Sequence, residues 1–168
     1  QTMRPSPETG TDAEVLRQTR EDRALRSCVG PFRLDTLNRW WGPDGWVALA
    51  RNGLWQSHNG KLRCIDNGRT SSSNLATTEG EQLRVITGDI VAGQARWFLR
   101  HVPPDLRPHF QLVGYSEDWK RGYRQRAANL DSLRFNVVAF YHCERKEVLF
   151  WVYFALLFGL LSSVLAFS

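Results

Sequence analysis

Asp118 is the carboxylate in this sequence whose surroundings most suggest chemistry. It follows an expected strand, Phe110–Tyr115, and precedes the basic stretch "WKRGYRQ". A carboxylate at a strand end is held by the sheet while the next loop leaves room for substrate. Hard cations such as Mg²⁺ or Mn²⁺ take oxygen ligands and share them with substrate phosphates. Lys120, Arg121, Arg124 and Arg126 lie close by and suit a polyanion. The plainer alternative is an acidic turn residue paired with local arginines. Lys61 and Arg63 alternate on an expected strand after a glycine turn, so they project from one face and could grip a triphosphate. They could equally be charges that keep an exposed edge strand from aggregating. Asp66 and Arg69 flank Asn67-Gly68, where an ordinary turn ion pair is the simplest reading.

Other chemistries find no local support. Cys28, Cys64 and Cys143 are scattered, and His58, His101, His109 and His142 share no ligand spacing, which argues against a structural zinc or a disulfide framework. Nucleophile-elbow, Walker and dinucleotide fingerprints do not occur. The formal net charge is +5 with pI ≈ 9.5, and arginine far outnumbers lysine, a balance that leans toward phosphate-bearing partners. Hydrophobic residues make up 42%, a globular value. A reducing, intracellular setting (nucleus or cytoplasm) is expected, since no apolar leader segment occurs in the first thirty residues. The chain starts at Gln1 and stops at Ser168 inside an apolar run, so both ends are expected to be cut from a longer reading frame.

The elements that must position these residues can be read coarsely. Residues 1–30 read as a flexible, partly helical extension: Asp12 is a candidate N-cap, Val15, Leu16 and Leu25 give a thin apolar face, and Gly30-Pro31 ends the helix. The folded body is expected from residue 31, where four tryptophans and the turn "GPDG" occur before Gly60. A short strand is expected over Leu62–Ile65. A helix is expected over 79–100, with Leu83, Ile86, Ile90, Val91 and Ala95 near a 3.6 period and Pro103-Pro104 as breaker. "LRFNVVAFY" and "VLFWVYF", joined by "HCERKE", read as a β-hairpin.

The tail permits two readings. Val148–Ser168 holds 21 residues without a charge, long enough for a membrane-spanning helix bordered by Arg145-Lys146. It reads equally as a buried strand that passes through a glycine turn into a helix capped by Ser162 or Ser163.

Four stretches in order favour the second reading. "KLRCIDNGRTSSSN", "DWKRGYRQ", "LRFNVVAFY" and "LLFGLLSSVLAFS" together resemble the fingers and early palm of a reverse transcriptase, an RNA-directed DNA polymerase. The chain is most similar to tyrosine-recombinase-type retroelement enzymes and dinoflagellate retroelement reading frames. The fingers pattern Lys-x-Arg-x-Ile-Asp-Asp-x-Arg-x-Ser-x-x-Asn matches from Lys61 to Asn74, including Asp66 and Arg69. The first palm pattern matches at Asp118, Lys120, Gly122 and Tyr123. The second matches at Phe158, Gly159, Leu160, Ser162, Val164 and Phe167.

The resemblance, over roughly residues 55–168, implies an α/β (α+β) fold that is part of a right-hand polymerase, with a fingers-like subdomain over 31–117 and an incomplete palm over 118–168. It implies that Asp118 binds catalytic Mg²⁺ or Mn²⁺, and that Lys61 and Arg63 contact the incoming deoxynucleoside triphosphate. Tyr123 becomes the gate against a ribose 2′-hydroxyl, and Phe158 and Gly159 line the pocket for nucleotide and template–primer. Asp66, Arg69, Asn74, Lys120 and Arg124 support the site. Two-metal phosphoryl transfer fits such a set, because carboxylates hold the ions and basic groups neutralise the phosphates. Departures are Asn67 at a frequent aspartate, Leu157 at a frequent proline, and the missing second catalytic motif, an aromatic-x-Asp-Asp turn expected beyond residue 168. A chain with one of the metal-binding carboxylates is not expected to polymerise by itself. The alternatives are a tail-anchored membrane protein with a helix over 148–168, and a nucleic-acid-binding module without catalysis.

Overall fold

The computed structural model of the chain describes residues 3–71, 73–74, 88–113, 122–160 and 163. The chain divides into two compact units, one of residues 1–79 and 121–167, the other centred on 80–120.

The larger unit is a five-stranded mixed sheet with helices on both faces. In chain order it contains α1 (Thr11–Ala24), β1 (Cys28–Phe32), α2 (Leu34–Trp41), β2 (Ala48–Trp55), β3 (Leu62–Asn67), β4 (Val137–His142) and β5 (Glu147–Tyr153). The strand order is β1-β5-β4-β2-β3, with β2 and β4 parallel and the other pairs antiparallel. The expected hairpin is present: Val137 faces Val152 and His142 faces Glu147 in unbroken register. Its strands are central, which is why "NVVAFY" and "LFWVY" read as apolar runs rather than alternating ones.

Alternation decides what each face buries. On one face Val15 and Leu16 of α1 pack on Leu49, Leu62, Val138, Leu149 and Tyr153, with the Phe140 and Trp151 rings stacked 4.2 Å apart. On the other, Leu37 of α2 packs on Val137 and Val152, and Trp46 meets Phe150 edge to face. At roughly 2 kcal/mol per fully buried large apolar side chain, these two layers supply the main driving force for folding.

Several expectations need correction. The helix expected from Asp12 is present as α1, but residues 11–30 are part of the folded body rather than an extension from it. Helix α1 buries Val15, Leu16, Thr19 and Asp22, and Cys28–Phe32 is an edge strand, where Pro31 removes no needed ladder bond. The compact units do not follow boundaries at 30 and 117 either, since β2 pairs directly with β4. Phe110–Val113 belongs to no helix or strand among the described residues, and all four residues are exposed; residues 114 and 115 lie outside the described set. The tail is not one helix from residue 148, because Glu147–Tyr153 is a strand between β1 and β4. No helix among the described residues is long and apolar enough to cross a membrane.

In the smaller unit, helix α3 (Gly88–His101) ends before Pro103-Pro104 as expected, and a 3-10 turn follows at Arg107–His109. Residues 79–87 of the expected helix lie outside the described residues.

Candidate functional site

Beyond β5 the chain is steered toward β3 by backbone pairing. Asn136 is buried, and its amide donates to the carbonyls of Tyr153 (2.8 Å) and Ala155 (2.9 Å), fixing the exit from the strand. The Ala128 and Leu156 amides then bond Phe154 and Arg126 carbonyls across an Ala127–Ala155 bridge. The turn at Phe158–Gly159 is thereby delivered onto the end of β3, where the Asp66 amide donates to the Phe158 carbonyl at 2.9 Å.

Gly159 is required there. Its φ is +114°, and a Cβ would stand 2.1 Å from the Asp66 carbonyl oxygen, so no side chain fits. The Asn74 amide group donates to the Gly159 carbonyl at 3.3 Å, and the Asn74 backbone amide bonds Gly68 at 3.1 Å. Asn67 closes the intervening turn by accepting from the amides of Arg69 and Thr70, both at 3.1 Å. The 3-10 turn Gly122–Gln125 places the Tyr123 ring edge-on to Phe158, 5.6 Å between centroids.

An open cleft of about 390 Å³ lies beside the Asn67–Arg69 turn, lined by Asn52, Leu54, Ile65, Asn67, Arg69 and Asn74, with Asp66 and Gly159 also contributing. Half-exposed apolar side chains, carboxamides and one arginine can together hold a flat polar ring and an anionic group.

Under the cleft is a buried ionic network. Arg51 and Asp66 face each other across β2 and β3, with side chains 1% and 0% exposed. The Arg51 Nε and Nη2 groups donate to the two Asp66 oxygens at 2.7 and 2.9 Å. Arg51 also donates to the Tyr153 hydroxyl and, at 3.1 Å, to Thr19. The Tyr153 hydroxyl in turn donates a 2.9 Å hydrogen bond to Asp22. Arg124 completes the set, with its guanidinium 3.4 Å from Asp22, 3.7 Å from Asp66 and 4.5 Å above the Tyr153 ring. It also donates to the Leu156 carbonyl at 2.7 Å. Two acids balance two bases in this network. Burial opposes the Arg51 charge, but the Asp66 carboxylate together with Tyr153 and Cys64 outweighs it and holds the guanidinium firmly protonated. Burial also pushes the Tyr153 phenol well above its usual range, so Tyr153 is a donor at any physiological pH.

The sequence-predicted residues therefore separate into groups. Gly159, Asp66, Arg69 and Asn74 line one cleft, and Tyr123 packs on Phe158, the residue before Gly159. Asp66 does not pair with Arg69, however; β-register sets it opposite Arg51, and Arg69 makes no ion pair among the described residues. Arg124 turns inward onto Asp22 and the Leu156 carbonyl rather than toward a substrate anion. Lys61 stands at the hairpin end of β3, about 16 Å along the strand from Asp66, and Arg63 is exposed on the face opposite to Asp66. β3 is an edge strand, which fits the alternative reading of these two cations as edge charges. Asp118 and Lys120 lie outside the described residues.

Sequence reasoning missed Arg51, Asp22, Thr19 and Tyr153. A signal existed for Arg51: in "ALARNGLW" it shares a strand face with Leu49, so alternation alone would bury it. Among the described residues no group of His, Cys, Asp or Glu is placed to hold a metal ion. The carboxylates nearest the cleft, Asp22 and Asp66, already accept from guanidinium or phenol donors, so the described residues by themselves do not fit a divalent cation. The sequence matches no family model, and no curated protein matches it.

Proposed function

We propose that the chain is part of an RNA-directed DNA polymerase of retroelement type, contributing the wall of a nucleotide-binding cleft. One observation carries this reading: stretches far apart in sequence converge, with Asp66, Asn67, Arg69 and Asn74 lining one cleft together with Gly159, and Tyr123 packed edge-on against the neighbouring Phe158. They are the stretches in which the sequence resembles a polymerase, and a glycine that admits no side chain joins two of them. On this reading the cleft takes a deoxynucleoside triphosphate beside a template–primer, and Tyr123 with Phe158 forms the surface that meets the sugar. Asp118 is the metal ligand that the resemblance assigns.

The test is a titration of the full chain with a deoxynucleoside triphosphate and the matching ribonucleotide, with template–primer and Mg²⁺, followed by tryptophan fluorescence. Saturable binding that prefers the deoxynucleotide, with the preference removed by Tyr123→Ala, is expected. Binding blind to the 2′-hydroxyl, or none at millimolar nucleotide, defeats the proposal. The engagement of Asp22 and Asp66 by arginines favours a second reading, a nucleic-acid-binding module without chemistry. That module binds template–primer in the same titration but ignores the nucleotide.

A further inference from the structure

Helix α3 and the turn after it carry a surface that the cleft does not use. No residue of α3 is buried. Leu99 and Phe110, 51% and 39% exposed, form with Val102 the apolar floor of a groove of about 350 Å³, and Arg96, Arg100 and Arg107 rim it. Arg107 is held in place by donating to the Val102 carbonyl at 3.2 Å. Among the described residues, no carboxylate pairs with any of the three guanidinium groups. One helical turn separates Arg96 from Arg100, about 6 Å of rise, so the two can meet successive anionic groups on one chain. Arginines beside the C-terminus of a helix also complement its dipole, but that alone explains neither the apolar floor nor Arg107 across from it.

We propose that this groove binds a single strand of nucleic acid, its phosphates on Arg96, Arg100 and Arg107 and a base against Phe110. Charge selects an anionic partner, and the planar guanidinium groups match phosphate oxygens. The aromatic floor selects a strand whose repeating unit carries a flat apolar face, because bases stack on such rings with little regard to sequence. An acidic peptide offers the charge without that face. The inference shares with the polymerase reading only the class of partner. If nucleotide titration fails while the groove binds a strand, that reading falls and this one stands.

The experiment is fluorescence anisotropy of a fluorescein-labelled 12-nucleotide oligo(dT) with the full chain between 50 and 300 mM NaCl. Removing two phosphate contacts with Arg96→Gln/Arg100→Gln lowers the slope of log K against log salt by about 1.4, hence affinity about 25-fold at 0.1 M salt. Phe110→Ala weakens binding and leaves the slope unchanged. The control pair Arg23→Gln/Arg145→Gln, with the same charge removed from exposed positions in the other unit, leaves both unchanged. Equal losses in the two pairs overturn the proposal, as does the absence of saturable binding at 50 mM salt. Displacement of the oligonucleotide by an equal charge of poly-glutamate overturns it in favour of an acidic peptide. Circular dichroism of each variant guards against loss of fold; if Phe110→Ala unfolds the unit, Phe110→Leu carries the stacking test.

Discussion

Replacing Arg51 by methionine keeps most of the side-chain volume and removes the charge from the middle of the buried network. The Asp66 carboxylate, with no exposure, then loses both of its short hydrogen bonds, at 2.7 and 2.9 Å, and among the described residues retains Arg124 at 3.7 Å. Breaking one partner of a buried pair costs about 3–5 kcal/mol, because the other charge is left without compensation. A typical domain has about 5–15 kcal/mol in total, so this variant stands near the edge of folding. In a unit of this size the loss corresponds to roughly 6–20 °C in Tm. The double variant Arg51→Met/Asp66→Leu removes one charge of each sign and leaves Asp22 paired with Arg124. It is therefore expected to be more stable than Arg51→Met by about 2 kcal/mol or more, a non-additivity that a double-mutant cycle reads directly. Urea unfolding followed by tryptophan fluorescence measures Arg51→Met, Asp66→Leu and the double variant. A single-variant loss under ~1 kcal/mol, or a double variant that shows the sum of the single losses, refutes the account of the network.

Gly159→Ala forces a side chain at φ +114° and against the Asp66 carbonyl, so a loss of about 1–3 kcal/mol from backbone strain alone is expected, with lost nucleotide binding as the second readout. Burial depresses the His142 pKa below its ordinary value. Its imidazole thus binds a proton more readily in the unfolded chain, and its contribution to stability is complete above about pH 6.5 and is lost as pH falls below that. His142→Gln should flatten the stability–pH curve between about pH 6.5 and 5 in urea melts; an unchanged slope contradicts the burial argument. Burial also pushes the Cys28 and Cys64 thiols up to about 11. Iodoacetamide at pH 8 should spare both in the folded chain and modify Cys143 first, as peptide mass mapping would show; equal labelling of the three contradicts this.

The parts of this structure that were legible in sequence are those whose signal is local. The β4–β5 hairpin announces itself through two apolar runs and a charged turn, and α1 through its composition. The turn at Gly159 was legible only if the tail was read as a buried strand, because in a membrane helix the same glycine would merely be tolerated. What stayed hidden depends on register. Nothing near Asp66 in sequence indicates that Arg51, fifteen residues earlier, lies across the ladder from it, whereas Arg69 stands close enough to suggest a pair that does not form. The role of α1 was hidden for the same reason. Its face looks thin when only Val15, Leu16 and Leu25 are counted, yet Thr19 and Asp22 are buried as partners of Arg51, Cys28 and Tyr153. The strand expected at Phe110–Tyr115 reflects an apolar run which, over residues 110–113, finds no ladder partner among the described residues.

The central claim is that Asp66–Asn74 and Phe158–Gly159 form one nucleotide-binding wall. Photo-crosslinking with an azido-substituted deoxynucleoside triphosphate, followed by peptide mapping, tests it most directly. The account predicts that label concentrates in the two peptides containing residues 66–74 and 156–160, is competed by unmodified deoxynucleotide and falls in Gly159→Ala. Label spread over exposed segments, or confined to peptides that contain neither stretch, contradicts it.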